Sequence, residues 1–156
     1  MKKLFFLTQF FLVAFLLPQT VLSQPHFNRE VGKLIADSSV ITCNSDSLLR
    51  FFDGFVKKNA QIDAHFDDVK IMKGDGYYYL LAVDNNKFVK SAYELVLDQN
   101  SFYEIMLSDG GSTTVVCSGC EVGCNPAKTT EGNWYCDPAC EPATCTKTVT
   151  VVIPSN

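Results

Sequence analysis

Six cysteines fall between residues 117 and 145, in the spacing C-x2-C-x3-C-x11-C-x3-C-x4-C. Gly119, Gly123, Pro126, Gly132, Pro138 and Pro142 lie among them, and the large apolar side chains there are Trp134 and Tyr135. Glycine and proline interrupt regular structure, so little of it is expected here. A stretch this poor in apolar bulk cannot build a core of its own, and its shape must come from covalent or metal links.

Which link forms depends on the compartment. Met1-Lys2-Lys3 is a short basic start, and Leu4 to Leu17 is an uncharged run with only Thr8 and Gln9 polar. That run has the length of an export signal and is too short to span a bilayer comfortably. Val21 and Ser23 suit the −3 and −1 positions of a cleavage site. The expected organisation is a signal peptide at 1–23, a folded domain at 24–116 and a Cys-rich tail at 117–156 that ends in a short strand. Such a chain is secreted, periplasmic or held at the cell surface. Without Lys2 and Lys3 the balance is 17 acidic against 11 basic residues, or −6. That charge speaks against a nucleic-acid partner or an anionic membrane surface, and no membrane span is expected once the signal is removed.

Three readings of the cysteines follow. Cys117 and Cys120 with Cys136 and Cys140 have a zinc-ribbon spacing, but one zinc leaves Cys124 and Cys145 unused. Cys117-Ser-Gly-Cys120 after a strand has the spacing of a redox dithiol. Such a dithiol needs a helix starting at its first cysteine, which "CSGCEVGCNP" resists. Disulfide staples use all six, and each bridge removes chain entropy worth about 2–4 kcal/mol. The connectivity is not legible: there are on the order of 100 ways to leave one cysteine of seven free and pair the rest. Leaving out Cys43 makes it a small buried hydrophobe after "VIT". The rival is a bridge from Cys43 to the tail, which ties the tail to the domain and frees one tail thiol.

Within 24–116, Phe27, Val31, Leu34 and Ile35 follow a helical period over "PHFNREVGKLIAD", although Gly32 weakens it. Ser39 to Cys43 is a brief strand or an extended link. "NSDSLLRFFDGFVKKN" is the main helix. Asn44 or Ser45 caps it, Asp46 and Lys57–Lys58 complement its dipole, and Leu48, Phe51, Phe52, Phe55 and Val56 form its apolar stripe. From Asp68 the period becomes two. "VKIMK", "YYYLLAV", "FVKSAYELVL", "FYEIML" and "TTVVC" are separated by Gly74-Asp75-Gly76, Asp84–Lys87, Gln99–Ser101 and Asp109–Gly111. The predicted class is α+β, with N-terminal helices packed on one face of an antiparallel meander of four to five strands, followed by a disulfide-rich, loop-dominated tail.

This layout resembles the cystatin-like and nuclear-transport-factor-like α+β folds. The Gln-x-Val-x-Gly inhibitory loop of cystatins is missing, the loops there reading "GDG" and "DNN", so the resemblance implies a topology and no inhibition. The tail, "CSGC…GCNPAK…GNWYCDPAC…CTKTVTV", resembles the C-terminal segment of small uncharacterised secreted proteins of bacteroidete bacteria. That resemblance implies a compartment and no reaction.

Other constellations are few. Asp63, His65 and Asp67 alternate in "DAHFDD", so an extended backbone would point them to one side as metal ligands or an acid/base pair. The simpler reading is a solvated link with Phe66 turned inward. Nucleophile-elbow, phosphate-loop and calcium-loop motifs are missing, and no motif points to a cofactor. Tyr77 and Tyr79 share one strand face and Tyr78 the other, so either set is a candidate binding surface, together with Trp134 and Lys128. The functional expectation is an exported, non-enzymatic binding or interaction module whose partner is a protein or glycan of the cell envelope or beyond. The alternatives are a protease inhibitor presenting Lys128 on the loop Asn125–Asn133 and, less favoured, a thiol-disulfide redox protein using Cys117 and Cys120.

Overall fold

A computed structural model describes residues 27–105, 112–120, 124–137 and 145–152. The expected signal peptide and Cys140 lie outside them. Ten strands and one helix are present among the described residues. The α+β expectation is therefore corrected: the fold is mainly antiparallel β, a nearly closed, barrel-like sheet with a single helix.

The correction begins at the N-terminus. Phe27–Ile35, predicted as a helix, is strand β1, and Ser38–Ile41 is β2. Ala36 and Asp37 join them with φ of 46° and 65°, the two positive values of a type I′ hairpin turn. Gly32 explains why the helical period fails. A Cβ there would stand 2.5 Å from both Ile71 Cδ1 and the carbonyl oxygen of Val40. The residue that looked like a weak point in a helix is what lets β1 pass its neighbours closely. Register shifts on either side of Glu30 also erase the two-residue alternation that would have announced a strand.

The main helix forms as its sequence predicts. It runs Ser45–Asn59 (α1), with Asn44 Oδ1 accepting the Ser47 N–H at 2.9 Å. Its buried residues are Leu48, Phe52, Phe55 and Val56, while Phe51 stays 43% exposed. After it come β3 (Phe66–Lys73), β4 (Tyr78–Asp84), β5 (Val89–Asp98), β6 (Ser101–Ile105) and β7 (Ser112–Ser118). The tail, expected to be mostly loop with a short strand at its end, has that strand as β10 (Thr146–Val152) and adds β8 (Asn125–Lys128) and β9 (Trp134–Asp137).

Strand β5 organises the sheet because it has ten residues, more than any other strand among the described residues. One edge pairs with β4. The other is divided: Val89–Tyr93 pairs with β7 and Leu95–Asp98 with β6. From β6 the sheet continues through β1 to β2, and β2 lies against β3. Strands β1–β6 thus curl into the near-barrel, while β7 and β10 form a flap off the first half of β5. A simple meander would have placed β7 beside β6.

Two apolar clusters result. Inside, α1 packs Leu48, Phe52, Phe55 and Val56 against Val31, Phe66, Leu80, Leu95, Phe102 and Val116. Outside, Tyr79, Leu81, Ala92, Val115 and Cys117 of the sheet meet Cys124 and Trp134 of the tail. Alternation along β4 sends Leu80 and Ala82 to the first cluster and Tyr79 and Leu81 to the second. The tail therefore shares a core with the sheet.

Candidate functional site

The hairpin β8–β9 forms a cap over the outer sheet face. Its strands pair from Asn125↔Asp137 to Lys128↔Trp134. Two disulfides fix it: Cys117 in β7 is bonded to Cys136 in β9, and Cys124 just before β8 to Cys145 just before β10. Among the six tail cysteines these join first to fourth and third to sixth. Cys120 is disulfide-bonded as well, and Cys43 is free and half-buried. The tail sulfurs at Cys117, Cys120, Cys124, Cys136 and Cys145 are therefore not thiolates for zinc, and Cys117 and Cys120 are not each other's redox partner. Cys43 keeps the role of a small apolar side chain, and burial raises its thiol pKa above the ordinary value.

Side chains of β5 complete the attachment. Even-numbered residues of this strand face the cap, and Lys90 Nζ donates to Asn125 Oδ1 at 2.8 Å while Glu94 pairs with Lys128 Nζ. Lys90 is buried, and that burial, with Lys70 nearby, pulls its ammonium pKa down. The Lys128 ammonium also stands 5.0 Å from the Trp134 ring centroid and 5.4 Å from that of Tyr77, within cation–π range. The backbone N–H of Lys128 donates to Tyr77 Oη at 3.0 Å. Tyr77 stacks on Tyr79, and both meet the edge or face of Trp134 at 5.8 Å. Among the described residues the indole Nε1 has no hydrogen-bond partner, and the ring is held by packing and the lysine.

The candidate surface residues are therefore distributed as follows. Tyr79 and Trp134 are buried under the cap, and Tyr78 packs on the inner cluster with its ring 4.9 Å from Phe102. Tyr77 fits over Gly74, whose missing Cβ leaves the room its ring occupies. Lys128 is folded onto the sheet with its side chain 12% exposed. What projects is the tip, Thr129 to Asn133, closed by Thr129 N–H to Asn133 O and Gly132 N–H to Thr129 O at 2.9 Å each. Between this tip and the β3–β4 turn lies a groove of about 360 Å³ lined by Asp75, Gly76, Tyr77, Lys128, Thr129 and Thr130.

A second concavity, a cleft of about 560 Å³, opens at the far end of α1. Asp53 and Lys57 of the helix, Asp63 and His65 of the following link, and Asp84 with Asn85 of the β4–β5 turn line it. His65 Nδ1 is 3.4 Å from Asp53 Oδ2, and Asp53 Oδ1 is held by the Phe66 N–H at 2.8 Å. Lys57 pairs with Asp63 at 3.1 Å. Asp63 and His65 thus share one side, but Asp67 is exposed on β3 outside the cleft, because the strand shifts register between Phe66 and Asp68. Among the described residues no three His, Cys, Asp or Glu side chains are grouped to hold a metal.

Sequence reasoning did not find Glu94, Lys90, Asn125 or Asp53, because each acts through a partner distant in the chain. Compared with known proteins, the chain matches no family model, no curated protein and no solved structure.

Proposed function

We propose that the protein is an exported, non-enzymatic binding module whose contact surface is the cap tip together with the groove beneath it. The observation that carries this reading is the preorganisation of that tip. Its base is bonded into the sheet through Cys136, its first strand starts beside the Cys124–Cys145 bridge, and Lys128 is fixed to Glu94 and Tyr77. A loop ordered before it meets a partner loses little further entropy on binding, which raises affinity without extra contacts. Disulfides of this kind support an oxidising location, and no described helix is long and apolar enough to cross a membrane. The groove offers hydroxyls, a carboxylate and backbone amides, donors and acceptors that suit a glycan or a polar protein loop.

The inhibitor alternative shifts with the geometry. Lys128 is occupied by Glu94, so an inhibitory contact would come from Thr129–Gly132 rather than from a lysine offered to a protease pocket. The test is residue-resolved NMR of the oxidised protein titrated with a panel of oligosaccharides and with exported proteases. Joint shifts at Asp75–Tyr77 and Thr129–Gly132 are expected. Shifts confined to Asp53, Asp63 and His65 would move the function to the cleft and overturn this reading.

A further inference from the structure

Among the described residues the sheet has one long, unguarded edge. Of its three terminal strands, β2 has four residues and lies against β3, and β3 is guarded by Asp67, Asp68, Lys70 and Lys73 and by a register shift. β10 is different. All seven of its residues pair with β7 in unbroken register, from Thr146↔Ser118 to Val152↔Ser112, and among the described residues no strand pairs along its outer side. Its sequence, Thr-Lys-Thr-Val-Thr-Val-Val, is rich in β-branched residues and has neither proline nor glycine. An edge of this length and composition is a template for another strand unless a charge protects it. The one charge present is diverted: Lys147 Nζ reaches back over the cap and donates to the carbonyl oxygen of Trp134 at 3.0 Å.

We infer that β10 is a homotypic interface, pairing antiparallel with β10 of a second copy to join two sheets into one. The sequence fits a two-fold axis at Val149. In that register Val149 faces its own copy and Thr148 faces Thr150, β-branched pairs that stabilise an antiparallel ladder. Lys147 falls opposite position 151, a valine, so no like charges meet. Val149 is 45% exposed in the single chain, and the second copy covers it. This interface is separate from the cap tip, so its failure leaves the binding reading standing.

The axis gives the test its form, because any charge placed at Val149 meets itself. Sedimentation of the oxidised protein over a concentration series is expected to show a monomer–dimer equilibrium. Val149→Lys and Val149→Glu alone should each raise the dissociation constant at least about tenfold, equivalent to ~1.4 kcal/mol. An equimolar mixture of the two should restore dimers, since lysine then faces glutamate. Hydrogen exchange of wild type should show amides of 146–152 gaining protection with concentration while those of β2 do not. A wild type that stays monomeric to about 1 mM, a mixture that fails to rescue, or protection of β10 only by an unrelated protein would overturn the proposal.

Discussion

Strand β4 is buried on both faces, and the two covers are built from different materials. On one side α1 lays down Phe52, Phe55, Leu48 and Val56, side chains large enough to exclude water by themselves. On the other the cap contributes Trp134 and little other bulk, and relies on Cys117–Cys136, Cys124–Cys145 and the contacts of Lys90 and Lys128. The helix holds because burying it is favourable; the cap holds because it is tied. A chain segment short of apolar residues can still seal a sheet face when covalent links remove the alternatives open to it.

The largest effect should come from the helix side. Phe52→Ala removes a fully buried ring from the inner cluster and should cost about 3–5 kcal/mol in denaturant unfolding. If the comparison is right, the loss is global: amides of the barrel and of the cap lose protection together. Next is the cap. Replacing Cys117 and Cys136 together by Ser should cost about 2–4 kcal/mol, yet hydrogen exchange should rise in β8 and β9 while β3–β6 stay protected. Equal loosening of both regions would erase the distinction between a packed cover and a tied one. Peptide mapping without reductant should meanwhile recover Cys117–Cys136, Cys124–Cys145 and Cys120 joined to Cys140, the tail cysteine left over.

Lys128→Met sharpens the same contrast at one residue. It keeps the stem packed on Trp134 but leaves the Glu94 carboxylate, a quarter exposed, without its cation. A loss of about 1–2 kcal/mol is expected, between the values for surface and buried pairs, with the change in exchange confined to the cap. The smallest effect concerns Cys43. Burial raises its thiol pKa, so alkylation of the native protein should accelerate only at a pH above that of the unfolded chain. The sign for stability follows: the folded state retains the proton more tightly, so this contribution is complete below the unfolded pKa and is lost as pH rises through the folded one. Alkylation of native and denatured protein across a pH series measures both.

The legible parts of this fold are those encoded locally. Asn44, Asp46, the Phe stripe and Lys57–Lys58 specify α1 within one segment, and glycine- or asparagine-bearing turns separate β3 to β6. Gly32 misled because a glycine needed for a close approach looks the same in sequence as a glycine that spoils a helix. The placement of β7 beside β5 was hidden because it depends on β5 being long enough to serve two partners on one edge. At the site, the disulfide-bonded state of the tail was legible in its composition, read together with the export signal expected at 1–23. The pairing and the Lys128–Glu94 contact did not, since both join residues that only the finished sheet brings together. Of the expected loop Asn125–Asn133 only the tip Thr129–Asn133 is a loop; that Asn125–Lys128 is a strand and that its lysine turns inward were not readable.

The cap begins after Ser118 and ends before Thr146, and these two residues are partners in the β7–β10 ladder. In terms of chain connectivity, everything from Gly119 to Cys145 is therefore the connecting loop of a single β-hairpin, whose ends the fold holds at neighbouring positions. The cost of closing a loop grows only with the logarithm of its length, so the size of an insert held here adds little to that cost. The near-barrel thus behaves as a socket and the stapled hairpin as an exchangeable cartridge. A short turn in place of 119–145 should leave β7 beside β10, and a different stapled insert could give the same scaffold a different surface.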